Sequence, residues 1–519
     1  MTIELADDIE RLKQMLANLQ YENQVLNSEV GSLNSEVDSL NSEVKLLNAS
    51  NKALQNSLNI ALEQLKLNRK KEFGSRSEKM SKGTFNETEE SQTEIKPRVR
   101  KGRKALPEHL EREEKFYVID TPTCSCCGHD MHECGEQISE QVKIIPEKIS
   151  VIKHKQTKYA CRECEATSIS SSIVTAPKPA QPIPGSIASP EALAAVVVAK
   201  YCDALPLYRL TDIFARGGLE ITRGTLANWC IKSAELLSPL IAAMKKHLLA
   251  QSTLCADETT IQVLDEKDRT AQQKSYMWVY RSNEYTSKPV VIYDYQPSRA
   301  RSCPQTFLTG YAGYLQCDGY SAYENIDDII PVGCWAHARR KFHDALIVQP
   351  KKTGKAKIAI KYIQSLYKIE KKTKSLTPEA RQKLRAKEAS PILLKFHEWL
   401  TKSAATVTPK SKLGLAISYT LNQWEKLRRY LNSGELGIDN NVTERDIRPF
   451  TTGRKNWMFS QSVDGADASG VLYSIVMTCR ANNINPYLYF QKLFTELPQR
   501  DEFADLSDLL PWNADLEAC

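Results

Sequence analysis

The chain has 519 residues, too many for one ordinary hydrophobic core, so several domains are expected. Its 41% hydrophobic and 26% charged residues suit a water-soluble folded protein, and no run of eighteen apolar residues is present that would cross a membrane. A net charge of +7 is modest for a nucleic-acid binder, so the distribution of charge says more than its sum. The first residues are acidic and amphipathic rather than basic and then apolar, which points away from a secretory signal and towards a cytoplasmic address. Fourteen cysteines there do not read as a disulfide framework, and their clustering between Cys124 and Cys164 points to a metal.

Residues 1–67 are predicted to form a coiled coil. Leu5, Leu12, Leu19, Leu26, Leu33, Leu40, Leu47 and Leu54 recur every seven residues. Ile9, Leu16, Asn23, Val30, Val37, Val44, Asn51 and Leu58 occupy the partner positions. Leu at d with β-branched residues or Asn at a favours a parallel dimer, so a homodimer is expected; a long helix packed on its own protein is the alternative. Residues 68–115 read as a flexible linker that carries a basic run over 96–104. Its Arg98, Arg100, Lys101, Arg103 and Lys104 suit DNA phosphates or a minor groove, or are simply solvated.

Residues 116–176 read as a small β-rich zinc ribbon. Two CxxC pairs, Cys124 with Cys127 and Cys161 with Cys164, present the four thiolates that a tetrahedral Zn²⁺ takes. Cys126, His129, His132 and Cys134 are spare donors that leave the ligand set open. Val142–Ile145 and Ile149–Lys153 alternate as strands do. A Pro-rich linker over 177–190 leads to a helical region at 186–250. Pro190–Lys200, Leu207–Arg216 and Thr222–Leu237 are its predicted helices, with Gly217-Gly218 as a break and Thr222 as a cap. The pattern fits a helix-turn-helix in which Thr225, Asn228 and Lys232 line the polar side of the third helix and face DNA.

Apolar strands begin after Ser252, and residues 251–344 are read as the first part of an α/β core. Ser252–Ala256 runs into Asp257, Tyr276–Tyr280 and Val290–Tyr293 follow, and Gly313–Cys317 runs into Asp318-Gly319. Two strands ending in acids place two carboxylates at one sheet edge, and Gly319 would let the chain turn sharply. Either aspartate alone would pass for a turn residue. Such a pair suits phosphodiester chemistry, in which two hard cations roughly 3.5–4 Å apart take carboxylate oxygens. Arg339, Arg340 and Lys341 begin the helix that follows the strand and are candidate DNA contacts. Cys334, His337 and His343 do not share the usual helical metal spacing, and His337 is a weaker candidate for placing a phosphate. Residues 345–432 are rich in Lys, Leu, Gln and Glu and read as helices. In 433–497, before a tail at 498–519, Glu444 is the candidate third acid. Asn441-Val-Thr-Glu444 also has the form of a capping box, and Glu444 could pair with Arg448 one turn on. Arg448, Arg454 and Lys455 would meet phosphates, while Trp457 is read as core.

Ala256-Asp-Glu-Thr259, Cys317-Asp-Gly-Tyr320, Cys334-Trp-Ala-His-Ala-Arg-Arg-Lys-Phe342 and Asp439-Asn-Asn-Val-Thr-Glu-Arg-Asp-Ile-Arg-Pro449 together resemble the large transposases of the insertion-sequence 66 family. Gly453-Arg-Lys-Asn-Trp-Met-Phe459, Leu509-Leu-Pro-Trp-Asn513, the zinc knuckles and the leading coil extend the resemblance over nearly the whole chain. It implies a multidomain α+β protein with a ribonuclease-H-like core, a helical insertion at 345–432, and a DDE triad of Asp257, Asp318 and Glu444. Mg²⁺ or Mn²⁺ at the triad, Zn²⁺ at the ribbon, transposon ends and target DNA as partners, and small accessory proteins of the same element are implied with it. A prokaryotic, nucleoid-associated setting follows. The competing expectation is a non-catalytic dimeric repressor or a transposition scaffold with an inactive core.

Overall fold

The computed structural model describes residues 2–73, 148–160, 173–348, 354–501 and 504–516. Helix α1 runs unbroken over Thr2–Phe73, about 108 Å at 1.5 Å per residue. Its heptad leucines from Leu12 to Leu47 are each more than half exposed, so the apolar stripe is not covered by the other described residues. Among the described residues only its last turns dock. Leu67 is buried, and the Glu63 carboxylate accepts the Lys412 backbone N–H at 3.0 Å.

The basic-arm residues Arg98, Arg100, Lys101, Arg103 and Lys104, the ligand candidates Cys124, Cys127, Cys161 and Cys164, and Val142–Ile145 lie outside the described residues. The strand expected at Ile149–Lys153 is not formed. Val151 is 91% exposed there, and Ile149 packs so close to Gly217 that a Cβ on that glycine would come within 2.7 Å of it. The alternation reflects one apolar anchor rather than a ladder. Beyond it β1 (Lys158–Ala160) and β2 (Ile173–Thr175) pair antiparallel.

Three helices follow. In α2 (Pro190–Tyr201) Ser189 caps the Ala192 N–H, and α3 (Leu207–Arg216) ends where Gly218 takes a positive φ of 86°. Thr222 caps α4 through the Thr225 N–H at 3.1 Å, as expected. However, α4 spans Arg223–Leu249 and passes through Pro239 instead of stopping at Leu237. Leu240, Met244 and Leu248 continue its buried stripe, so packing outweighs the helix-breaking tendency of the proline.

The sheet opens as an antiparallel meander of β3 (Thr253–Asp265), β4 (Lys274–Ser282) and β5 (Val291–Gln296). After a short helix α5 (Ser302–Phe307), β6 (Gly313–Gln316) and β7 (Ile329–Val332) add in parallel on the other side of β3. The strand order is therefore β5-β4-β3-β6-β7, with β3 in the middle. Helix α6 (Trp335–Val348) leads into α7 (Lys355–Thr373), α8 (Pro378–Leu384), α9 (Ser390–Ala404), α10 (Lys412–Asn422) and α11 (Trp424–Arg428). These helices close a second core around Trp335, Phe342, Phe396 and Leu427. At its edge Arg385 is fully buried, paired with Glu370 at 2.6 Å.

The chain then returns to the sheet in α12 (Asn441–Trp457) and β8 (Ser460–Ser462), which pairs with the far end of β3. Helix α13 (Val463–Ala481) lies along β5, whose outer N–H groups at Val291 and Tyr293 donate to Thr478 and Ser474 hydroxyls at 3.0 and 2.8 Å. An edge strand is thereby capped by helix side chains rather than left open to another chain. Helix α14 (Pro486–Glu496) packs on α2, and α2 to α4, the sheet, α13 and α14 share one apolar core. The whole is a mixed α+β chain with a helical N-terminus. Among the described residues no helix is long and apolar enough to cross a membrane.

Candidate active site

The parallel register of β3 and β6 sets the first two acids side by side. Cys255 lies opposite Gln316, and Asp257 and Asp318 each stand two residues further along. Strand β3 does not end at Asp257 as expected. It continues to Asp265 because β4 pairs with it throughout, so only β6 stops short of its acid. The Asp257 carboxylate accepts the Glu258 N–H at 2.8 Å, and that of Asp318 accepts the Tyr320 N–H at 2.8 Å, closing a local turn. Gly319 does not take a left-handed φ in that turn. Its lack of a side chain instead admits the ring of Tyr419, within 3.0 Å of where a Cβ would stand.

Glu444 lies in the first turn of α12. The expected capping box is not formed: the first N–H of the helix, at Asn441, is taken by the Asp439 carboxylate at 3.0 Å. The side chain of Asn440, fully buried at the helix start, does something else. Its Nδ2 donates to the Ala256 carbonyl at 2.9 Å, and its Oδ1 accepts the Thr443 hydroxyl at 2.6 Å. Its backbone N–H reaches the Cys334 sulfur at 3.2 Å. One residue thus ties the helix of the third acid to the strand of the first, next to Asp257. Asp446 adds a buried ion pair to Arg281 of β4 at 2.5 Å.

The Glu444 carboxylate faces α6. Arg340 Nη2 lies 3.0 and 3.2 Å from its two oxygens, and His337 Nε2 lies 3.7 Å from one of them. The expected pairing with Arg448 is replaced by this one, and Arg448 is exposed. Burial first, then the Arg340 charge, lowers the His337 pKa against the opposing pull of Glu444 and Asp318.

Burial raises Asp257 most, and the negative charges of Glu258, Asp318 and Glu444 raise it further, while the Glu258 N–H opposes them; the result is a carboxyl pushed up to about 8. Three oxygen-donor acids within electrostatic reach of one another, one of them strongly disfavoured as an anion, are a donor set that fits a hard divalent cation. The fit is one of donor chemistry: among the described residues no three His, Cys, Asp or Glu side chains converge closely enough to share one ion in this geometry, neither the three acids nor Cys334, His337 and His343.

The basic candidates divide. Arg340, Arg448 and Lys455 are exposed and Arg339 is half-buried, while Lys341 stacks its ammonium 4.4 Å over the Tyr419 ring. Arg454 departs from its expected role. Its guanidinium turns inward to the Thr260 carbonyl and to the Thr259 and Thr260 hydroxyls at 3.1 Å, clamping α12 to β3. On α4, Thr225 is half-buried and bonded to the Thr222 hydroxyl, Asn228 is exposed, and Lys232 pairs with Glu235. Trp457 packs edge-on against Phe450, a core role.

Sequence reading missed Asn440 and the group around Glu258. The Glu258 carboxylate is almost fully buried, where it accepts Arg299 Nε at 2.8 Å and the Tyr323 hydroxyl at 2.5 Å. Arg299 in turn stacks 3.7 Å from the centroid of the Tyr320 ring, beside the Asp318 turn. The available signal was the Asp257-Glu258 doublet: neighbours in a strand point to opposite faces, so the two acids could not share one role.

Comparison with known proteins agrees with this layout. The profile of the Transposase IS66 family matches residues 185–468, more than half of the chain and all three acids. The zinc-finger binding domain of transposase IS66 matches residues 121–165, which hold both CxxC pairs, and the IS66 C-terminal element matches 474–512. Two uncharacterized proteins of Sinorhizobium fredii (strain NBRC 101917 / NGR234) are similar over most of their length. One, y4qI, is 32% identical over 431 residues, covering 80% of this chain and 78% of that protein. The other, y4hP, is 32% identical over 436 residues, covering 80% and 77%. With the family profile matched over more than half of the chain, its zinc-finger and C-terminal profiles matched on either side, and relatives 32% identical over 80% of the chain, the chain belongs to the IS66 transposase family.

Proposed function

We propose that the chain is a DDE-type DNA transposase that binds terminal inverted repeats and carries out metal-dependent strand cleavage and strand transfer. The observation that supports this most is the register of β3 and β6 with the Asn440 tether, which together bring Asp318 and the start of the Glu444 helix to the Asp257 level of the central strand. An antiparallel meander followed by two parallel strands supports a ribonuclease-H-like reading of the core, with 345–432 as its helical insertion.

In this reading Asp257, Asp318 and Glu444 hold Mg²⁺ or Mn²⁺. When bound, such ions activate the attacking oxygen and stabilise the leaving one. The first reaction hydrolyses a phosphodiester and leaves a 3′-hydroxyl; in the second that oxygen attacks a target phosphorus, forming one P–O bond as another breaks. Arg448 and Lys455 draw the strand along α12 by charge, as Arg339 and Arg340 do on α6. Thr225 and Asn228 on α4, the basic arm of Arg98 to Lys104, and a zinc ribbon of Cys124, Cys127, Cys161 and Cys164 recognise the ends. The exposed stripe of α1 pairs two subunits as a coiled coil, and the protein acts in the cytoplasm on nucleoid DNA with small partners of its own element.

The test is a labelled terminal-repeat duplex incubated with the full chain, Mg²⁺ or Mn²⁺, and the accessory proteins. New 3′-ends and joined products are expected, lost in Asp257→Asn while end binding persists. End binding with no product under any of these conditions would support the repressor reading instead.

A further inference from the structure

The Arg340 contact on Glu444 bears on ion binding, on the reading of Glu444 as a metal ligand. Arg340 reaches both carboxylate oxygens, at 3.0 and 3.2 Å, and His337 approaches from one helical turn earlier. The two elements involved cannot slide apart freely. Helix α6 begins beside Cys334, whose sulfur takes the Asn440 N–H at the start of α12, so the pair is fixed by the packing of two helix N-termini. Within that frame Arg340 is 48% exposed and Glu444 20% exposed. The guanidinium thus sits on the rim and the acid beneath it.

The arrangement is a competition. A guanidinium and a divalent cation on the same carboxylate oxygens repel each other, and the planar fork of arginine fits a phosphate as well as it fits a carboxylate. Arg339, Lys341 and Arg448 make the surroundings of this rim basic, which draws a DNA strand to the place where Arg340 is exposed.

We propose that Arg340 is the positioning residue of the third acid: in DNA-free protein it holds the Glu444 carboxylate, and a DNA phosphate takes over its guanidinium, freeing Glu444 to join Asp257 and Asp318. Ion loading is thereby coupled to DNA occupancy, and a protein without its DNA carries an incomplete site.

The test reads ion binding rather than turnover. Mn²⁺ affinity is measured by the loss of the free-ion electron paramagnetic resonance signal, on the full chain with zinc retained and no DNA. Arg340→Gln should bind Mn²⁺ more tightly than wild type by up to about fivefold, the upper end for a partly exposed ion pair. Arg339→Gln removes the same unit charge from the adjacent position and should change affinity far less. In a Glu444→Gln background the Arg340 substitution should have no effect, because the group it releases is absent. With saturating terminal-repeat duplex, wild type and Arg340→Gln should converge.

Equal tightening by Arg339→Gln, or the same Arg340 effect without Glu444, would reduce the result to a long-range field and overturn the proposal. A difference that persists in full with DNA bound would overturn the release by phosphate. If Glu444→Gln leaves Mn²⁺ affinity unchanged even in the Arg340→Gln background, where nothing holds the carboxylate, Glu444 is not a ligand, and the metal reading of that residue falls together with the proposal. If Glu444→Gln weakens binding while Arg340→Gln changes nothing, only the proposal falls.

Discussion

Replacing Asp257 by Asn tests the electrostatics of the site without any turnover. Asp257 lies in the central strand, where burial and the charges of Glu258, Asp318 and Glu444 push its carboxyl up to about 8. An unfolded aspartate titrates near 3.9. Between about pH 4 and 8 the folded chain therefore keeps a proton that the unfolded chain has lost, and stability falls as pH rises through that window. At about 1.4 kcal/mol per unit, the ion-free protein gives up at most about 4 kcal/mol by pH 7 and about 6 kcal/mol well above pH 8. The Asp257→Asn chain cannot ionise there and is spared this loss. Thermal unfolding in Mg²⁺-free buffer should show a gap in favour of the variant that opens from pH 5 to 8 and closes towards pH 4. Millimolar Mg²⁺ should narrow the gap by stabilising wild type alone. Parallel stability curves for the two chains, or a variant less stable at pH 8, would refute the reasoning and remove the case for an acid held against its own charge.

Two further outcomes follow from the packing. Asn440→Ala removes the bond that ties the start of α12 to the Ala256 carbonyl of β3 and the bond to the Thr443 hydroxyl in the first turn of α12, so stability should drop by about 1–3 kcal/mol. Cleavage should fall while end binding holds; equal loss of both would mark a general folding defect. Leu26→Glu combined with Leu33→Glu places charges in the exposed stripe of α1 and should turn a dimer into a monomer in sedimentation. A dimer that survives this change would have its interface elsewhere.

Features with a local cause were legible from residue order. The heptad predicts a long helix, and α1 is unbroken over Thr2–Phe73, because periodicity and the absence of proline act within a few turns. The limits of α3 agree with expectation because Gly217-Gly218 punctuates the chain at that point. Helix α4 outruns its expected end at Leu237 because the buried stripe of Leu240, Met244 and Leu248 carries it through Pro239. The inward turn of Arg454 was hidden for the converse reason: a basic run looks solvated until β3, 194 residues earlier in the chain, offers it carbonyl and hydroxyl partners.

The residue types of the candidate site, two strand-borne aspartates and a late glutamate, are written in the sequence, since hard cations and phosphodiesters call for carboxylates wherever the fold places them. Their mutual arrangement is not. Asp257 meets Asp318 through the parallel register of β3 with β6, and α12 meets β3 through a hydrogen bond that spans 184 residues. Glu444 lies against Arg340 across 104 residues because α6 and α12 start side by side. Such contacts follow from which strands pair and which helix ends abut, and those choices are settled by burial summed over the whole core, which no short stretch of sequence contains.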